Sequence, residues 1–233
     1  IKLAGINGLT SDSELNQSGG SGTSNTAFGK NAGDSIASGG NYNVALGEDA
    51  GTALSTGDDN IAIGWKALDA ATTMSDIIAI GTDAGGVINS TDADGTVVIG
   101  HQAGAAITAG QYNTTIGFNA GTAVSTGDSN TLVGYATGDA LTTMTDNTAI
   151  GYNALTGSSA VDSTVIIGSG AGVAAMTADA DGTVLVGKGA GAAITSGQGN
   201  TAVGFEALAT NIDGDSNTAI GYQALKNMEA DTD

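Results

Sequence analysis

A five-residue unit of the form Asn-Thr-Ala-Ile-Gly returns twelve times along this chain, closing at Gly29, Gly47, Gly64, Gly81, Gly100, Gly117, Gly134, Gly151, Gly168, Gly187, Gly204 and Gly221. Successive closing glycines stand 18, 17, 17, 19, 17, 17, 17, 17, 19, 17 and 17 residues apart. Self-similarity at a short fixed period marks a stacked-repeat architecture, in which each unit buries its apolar groups only against its neighbours. The spacing argues against an ordinary globule. It predicts an all-β parallel β-solenoid of about twelve 17-residue coils. At about 4.8 Å per coil the rod would be about 55 Å long.

The columns of the repeat assign its faces. The residue before each glycine is always apolar, and Ile63, Ile80, Ile99, Ile116, Ile150, Ile167 and Ile220 are read as the core column. Two residues earlier stands Thr, Val or Ile in every unit, and in a strand these two columns share a face. That face is assigned to the interior of the coil. The column between them would be polar if it met water, yet it holds Ala27, Ala45, Ala62, Ala149, Ala202 and Ala219. It is read as an interchain column, where small side chains let backbones approach around a symmetry axis.

Asparagine opens the unit at Asn25, Asn43, Asn60, Asn113, Asn130, Asn147, Asn200 and Asn217. Two explanations stand side by side: a stacked amide ladder, or simple preference for the turn that enters a strand. Beyond the glycine, Ala followed by Gly or Leu suggests a second short strand per coil. Segments such as Ser55-Thr56-Gly57-Asp58-Asp59 are turn chemistry. The repeat unit occupies residues 25–225, with 1–24 as a lead-in and 226–233 as an acidic tail leading to a further segment. Residues 60–100 recur at 147–187, including the loop Asp-Ala-Asp-Gly at 92–95 and 179–182, which indicates block duplication.

Composition narrows the partners. Glycine supplies 39 of 233 residues and aromatics only 4%, which suits a thin coil better than a globular core. A net charge of -19, with 24 acidic residues against five basic ones, leaves little to neutralise a phosphate backbone, so nucleic acid is not an expected partner. No apolar run approaches the about 20 residues of a membrane helix, so no membrane insertion is expected. Cysteine is absent, which is compatible with an oxidising exterior.

With the repeats in view, the sequence resembles the β-roll heads of trimeric autotransporter adhesins of the YadA type, whose coils carry Asn-Ser-Val-Ala-Ile-Gly. It is similar also to repeats of bacteriophage tail fibres, in which Asn-Thr-Ala-Ile-Gly-Tyr-x-Ala-Leu is common, as at Asn147 to Leu155 and Asn217 to Leu225. The resemblance covers residues 25–225. It implies a left-handed roll, a homotrimer, an extracellular location on a virion or cell surface, and attachment to a host-cell surface glycan or protein receptor.

Catalysis has little to draw on, and no enzyme is expected. His101, the only histidine, occupies a variable outward position whose counterpart one block later is Lys188. A polysaccharide-cleaving tailspike is the competing reading, and it would need paired carboxylates outside the repeat pattern. Ice binding by a threonine array is weaker still, because threonine alternates with Val and Ile on a face assigned to the interior. No cofactor is expected. The acidic loops with Asp92, Asp94, Asp179, Asp181, Asp213 and Asp215 partly resemble a Ca2+ loop, but turn-forming aspartate explains them better. Aromatic residues directly after the glycine, Trp65, Phe118, Tyr135, Tyr152, Phe205 and Tyr222, form either a glycan-binding strip or a seal between chains.

Overall fold

The computed structural model describes residues 22–228. Most of the expected lead-in and the end of the acidic tail lie outside the described residues. Each repeat contributes one three-residue strand: β1 (Thr26–Phe28), β2 (Val44–Leu46), β3 (Ile61–Ile63), β4 (Ile78–Ile80), β5 (Val97–Ile99), β6 (Thr114–Ile116), β7 (Thr131–Val133), β8 (Thr148–Ile150), β9 (Val165–Ile167), β10 (Val184–Val186), β11 (Thr201–Val203) and β12 (Thr218–Ile220). They form one parallel sheet in sequence order, the topology of a β-solenoid. Every residue pairs with its own repeat equivalent, as Thr114↔Thr131, Thr115↔Leu132 and Ile116↔Val133. The two 19-residue coils keep this register, Ile78↔Val97 and Val165↔Val184, by folding their surplus into 3-10 turns at Thr91–Ala93 and Ala178–Ala180.

The closing glycine ends each strand for a steric reason. Gly117 has φ +138, and a Cβ there would stand 2.2 Å from the carbonyl oxygen of Gly134 in the next coil. No side chain fits that approach. The expected second strand is not formed. After the corner the backbone enters left-handed conformations at Asn119 (φ 55) and Gly121 (φ 58), which cannot belong to an extended strand. Those turns still bond between coils: the Asn119 N–H donates to His101 O at 3.0 Å and the Gly121 N–H to Thr137 O at 2.9 Å.

The structure reverses the expected faces of the strand. The middle residue of each strand points into the coil, so Ala27, Ala45, Ala62, Ala149, Ala202 and Ala219 are buried core and not an interchain column. The flanking residues point outward. Ile63, Ile80, Ile99, Ile116 and Ile167 are half-buried, while Ile150 is 37% exposed and Ile220 70%. The cause is the narrow cross-section. The turn opposite the strand already sends Leu54, Ile88, Ile107, Val124, Leu141 or Ile194 into the coil, and little room is left behind the strand.

That limited room is shared out coil by coil. Eight residues after the opening position stands either a glycine or a left-handed leucine, and in ten of the twelve coils the size three residues later is inverted: Gly51 with Leu54, Gly104 with Ile107 and Gly138 with Leu141, but Leu68 with Ala71, Leu155 with Ser158 and Leu208 with Asn211. A Cβ on Gly51 would lie 2.8 Å from Leu54 Cδ1, and one on Gly104 would lie 2.7 Å from Ile107 Cδ1. The two positions compete for one volume. Large middle residues obey the same rule, since Val98, Leu132 and Leu185 crowd Gly104, Gly138 and Gly191. A double-mutant cycle tests this. Leu68→Gly should cost about 2–4 kcal/mol by leaving a cavity, and Ala71→Leu about 1–3 by overpacking. The double variant reproduces the Gly138/Leu141 arrangement and should return to within about 1 kcal/mol of the parent in urea denaturation.

The opening asparagines do build a ladder. Asn60 donates from both its backbone N–H and its Nδ2 to Asn43 Oδ1, each at 3.0 Å, and from Nδ2 to Met74 O at 2.7 Å. Asn113, Asn130 and Asn147 repeat the pattern, which ends on Thr164. Each amide thus closes its own coil and clamps the neighbouring one. These asparagines are buried, so turn preference alone does not account for them.

Candidate functional site

Twelve strands with two outward positions each place 24 side chains on one outer ribbon, and every one is Thr, Val, Ile, Leu or Phe. On a chain of net charge -19, not one of these positions carries a charge. Parallel in-register pairing aligns them in two straight columns, with neighbours about 4.8 Å apart along the rod and about 7 Å apart across it. Singly scattered exposed apolar residues are ordinary, but a contiguous patch of this length is not.

One residue past each closing glycine, the aromatic column borders this ribbon. His101, Phe118, Tyr135 and Tyr152 stack in series with ring centroids 5.0, 5.4 and 5.2 Å apart, and Phe205 and Tyr222 stack at 5.3 Å. The single histidine is therefore a member of the stack, consistent with its outward position. Trp65 stands apart from the stacked rings, with Lys66 Nζ 5.2 Å from its ring centroid. Stacking closes the ring faces and leaves the ring edges outward. A sugar platform needs an open face.

The acidic loops act as staples between coils. Asp94 Oδ1 accepts from the Ser75 N–H at 2.9 Å, Asp181 Oδ1 from the Asp162 N–H at 2.7 Å, and Asp215 Oδ1 from the Gln198 N–H at 2.7 Å. Asp58 and Asp128 serve Asn41 and Gln111 in the same way. Asp92, Asp179 and Asp213 flank these positions, and among the described residues no group of three or more His, Cys, Asp or Glu is arranged to hold a metal ion. Turn aspartates were foreseeable; their role in joining coils was not, because it depends on which backbone N–H the stacking brings opposite.

A surface hollow beside the turns brings Asp69 and Asp83 together with Lys66, a grouping absent from the sequence reading. Burial pushes the Asp69 carboxyl above the ordinary range, Lys66 opposes that shift, and Asp83 and Asp49 add to it. Asp139, the equivalent residue four coils later, is likewise pushed up by burial. Both carboxyls follow directly on the position that trades glycine for leucine, so their burial follows from the packing of the turn.

No helix among the described residues is long and apolar enough to cross a membrane. No family model, curated protein or solved structure matches the chain.

Proposed function

We propose that this chain is a non-catalytic, self-associating section of an extracellular attachment fibre, a phage tail fibre or a related adhesin. Three copies lie side by side with their outer ribbons turned to a common axis, and the assembled fibre engages a host-surface glycan or protein. The single observation that carries this reading is the uncharged outer ribbon, 24 side chains in two columns of twelve on a strongly acidic chain. Its area is roughly 700 Å², taking about 53 Å of length and about 13 Å of width. That approaches the about 800 Å² each partner contributes to a standard stable interface. The repeat motif supports the fibre and the number three, through its resemblance to tail-fibre and adhesin repeats.

The interface face differs from the one first expected. Alanines cannot form it, since they fill the coil, and the Thr, Val and Ile columns take their place. Sedimentation velocity over a range of concentrations tests the reading. Trimers should form at micromolar concentration, and a section that stays monomeric at high concentration would remove the basis for the proposal. Attachment is tested separately, by whether the assembled section binds host cells and competes with the intact particle.

A further inference from the structure

The ribbon has two different borders, and the difference points to how copies meet. On one border stand the stacked rings, with only their edges and hydroxyls outward. On the other, two residues before each strand, stands a column of left-handed residues such as Ser129 (φ 57), Asp146 (φ 59) and Ser216 (φ 55). In the coils of Tyr135, Tyr152 and Tyr222, the residues on the far border are Ser129, Asp146 and Ser216. Phe205 faces Gly199 across its own coil in the same way. Bulk on one border thus coincides with small or hydrogen-bonding groups on the other, with Phe118 and Tyr112 as the exception.

An isologous contact would set rings against rings. A heterologous contact, repeated around an axis, sets the ring border of one copy against the small groups on the far border of the next and closes into a ring.

Resting on the self-association proposed above, we infer that the ring border of one copy docks against the far border of the next copy. The aromatic column is then a seal between chains and not a sugar platform. Tyrosine hydroxyls on one copy meet serine hydroxyls and carboxylates on its neighbour, and the outer ribbon packs inside this rim.

The chain's only tryptophan, Trp65, lies in the ring column and is 46% exposed in the lone chain. Its accessibility reports on the border directly. Acrylamide quenching and emission wavelength should be followed alongside sedimentation, from dilute monomer to full assembly. The expected result is a several-fold fall in the quenching constant and a blue shift that track assembly. If sedimentation shows assembly while Trp65 stays as quenchable as in the monomer, the ring border is open and the inference fails, although self-association stands. If no assembly occurs at any concentration, both fail. Protection that appears only on adding a host-type polysaccharide to the monomer would overturn the inference in favour of a glycan strip. A second measurement uses Ser129→Lys together with Ser216→Lys, both exposed in the lone chain. These should weaken assembly at least tenfold with unchanged circular dichroism, and an unchanged dissociation constant would show that the far border is not the seat.

Discussion

Ala149→Asp should unfold the coils around β8, whereas Ile150→Asp, one residue further on, should leave a lone chain folded and abolish its assembly. Ala149 is fully buried and stacks between Leu132 and Ile166 in the inner column. An aspartate there places a carboxylate against apolar side chains with no donor to receive it, at a cost of several kcal/mol. Ile150 points outward and is 37% exposed. A charge at that position is solvated in the monomer, so the change should stay within about 1 kcal/mol. Around an axis, however, three such carboxylates would be buried together, and the dissociation constant should rise by at least about a hundredfold. Thermal unfolding by circular dichroism at low concentration, with sedimentation at high concentration, separates the two effects. Equal loss of monomer stability in both variants would show that the strand faces are assigned the wrong way round.

The same pair of residues shows where sequence reasoning reached its limit. The period, the parallel stacking, the strand in each repeat and the absorption of two extra residues near each Asp-Ala-Asp-Gly loop were all legible, because they depend only on spacing. Which face of the strand looks inward was not. Both faces are apolar, so hydropathy gives no sign, and bulk suggested that Ile should be inside and Ala outside. The answer lies in the width of the coil, which is set by the turn opposite: Leu54 and Leu68 are fully buried inside it, and little room is left behind the strand alanines. The signal was present in the inverse sizes of positions 51 and 54 against 68 and 71, which only make sense if both compete for one enclosed volume.

The candidate site was legible in a similar, partial way. The strand was legible as apolar on both faces, and the aromatic column was correctly placed outward. The choice between glycan strip and seal could not be made from residue types, since Tyr and Phe serve both. Ring stacking at 5.2 to 5.4 Å changes the balance, because it depends on coil spacing and on side-chain direction. The amide ladder was one of two readings from sequence, and burial of Asn60, Asn113, Asn130 and Asn147 decides between them.

Asn130→Leu should be among the most damaging single changes that add no charge. Its Nδ2 donates to Asn113 Oδ1 at 3.1 Å and to Met144 O at 2.8 Å, while its Oδ1 accepts from the N–H and the Nδ2 of Asn147 at 3.1 and 3.2 Å. Leucine matches its size and removes all four bonds. The Met144 carbonyl and the Asn147 N–H are then left without these partners inside the coil. At about 1–3 kcal/mol for each orphaned group, the total is about 3–5 kcal/mol. Asn130→Thr should cost roughly half as much, about 2 kcal/mol, because a hydroxyl recovers part of the network. Thr96 and Thr183 occupy the same place in their coils and donate to Gly110 O at 3.1 Å and Gly197 O at 3.4 Å. In a stacked-repeat protein such a loss is local first, since each coil is held by its neighbours. Hydrogen exchange should therefore show β7 and β8 losing protection in Asn130→Leu, with β2 and β3 unchanged. If Asn130→Thr and Asn130→Leu are equally harmful, the amide contributes through shape and not through its hydrogen bonds. If neither is harmful, the ladder does not hold the coils together.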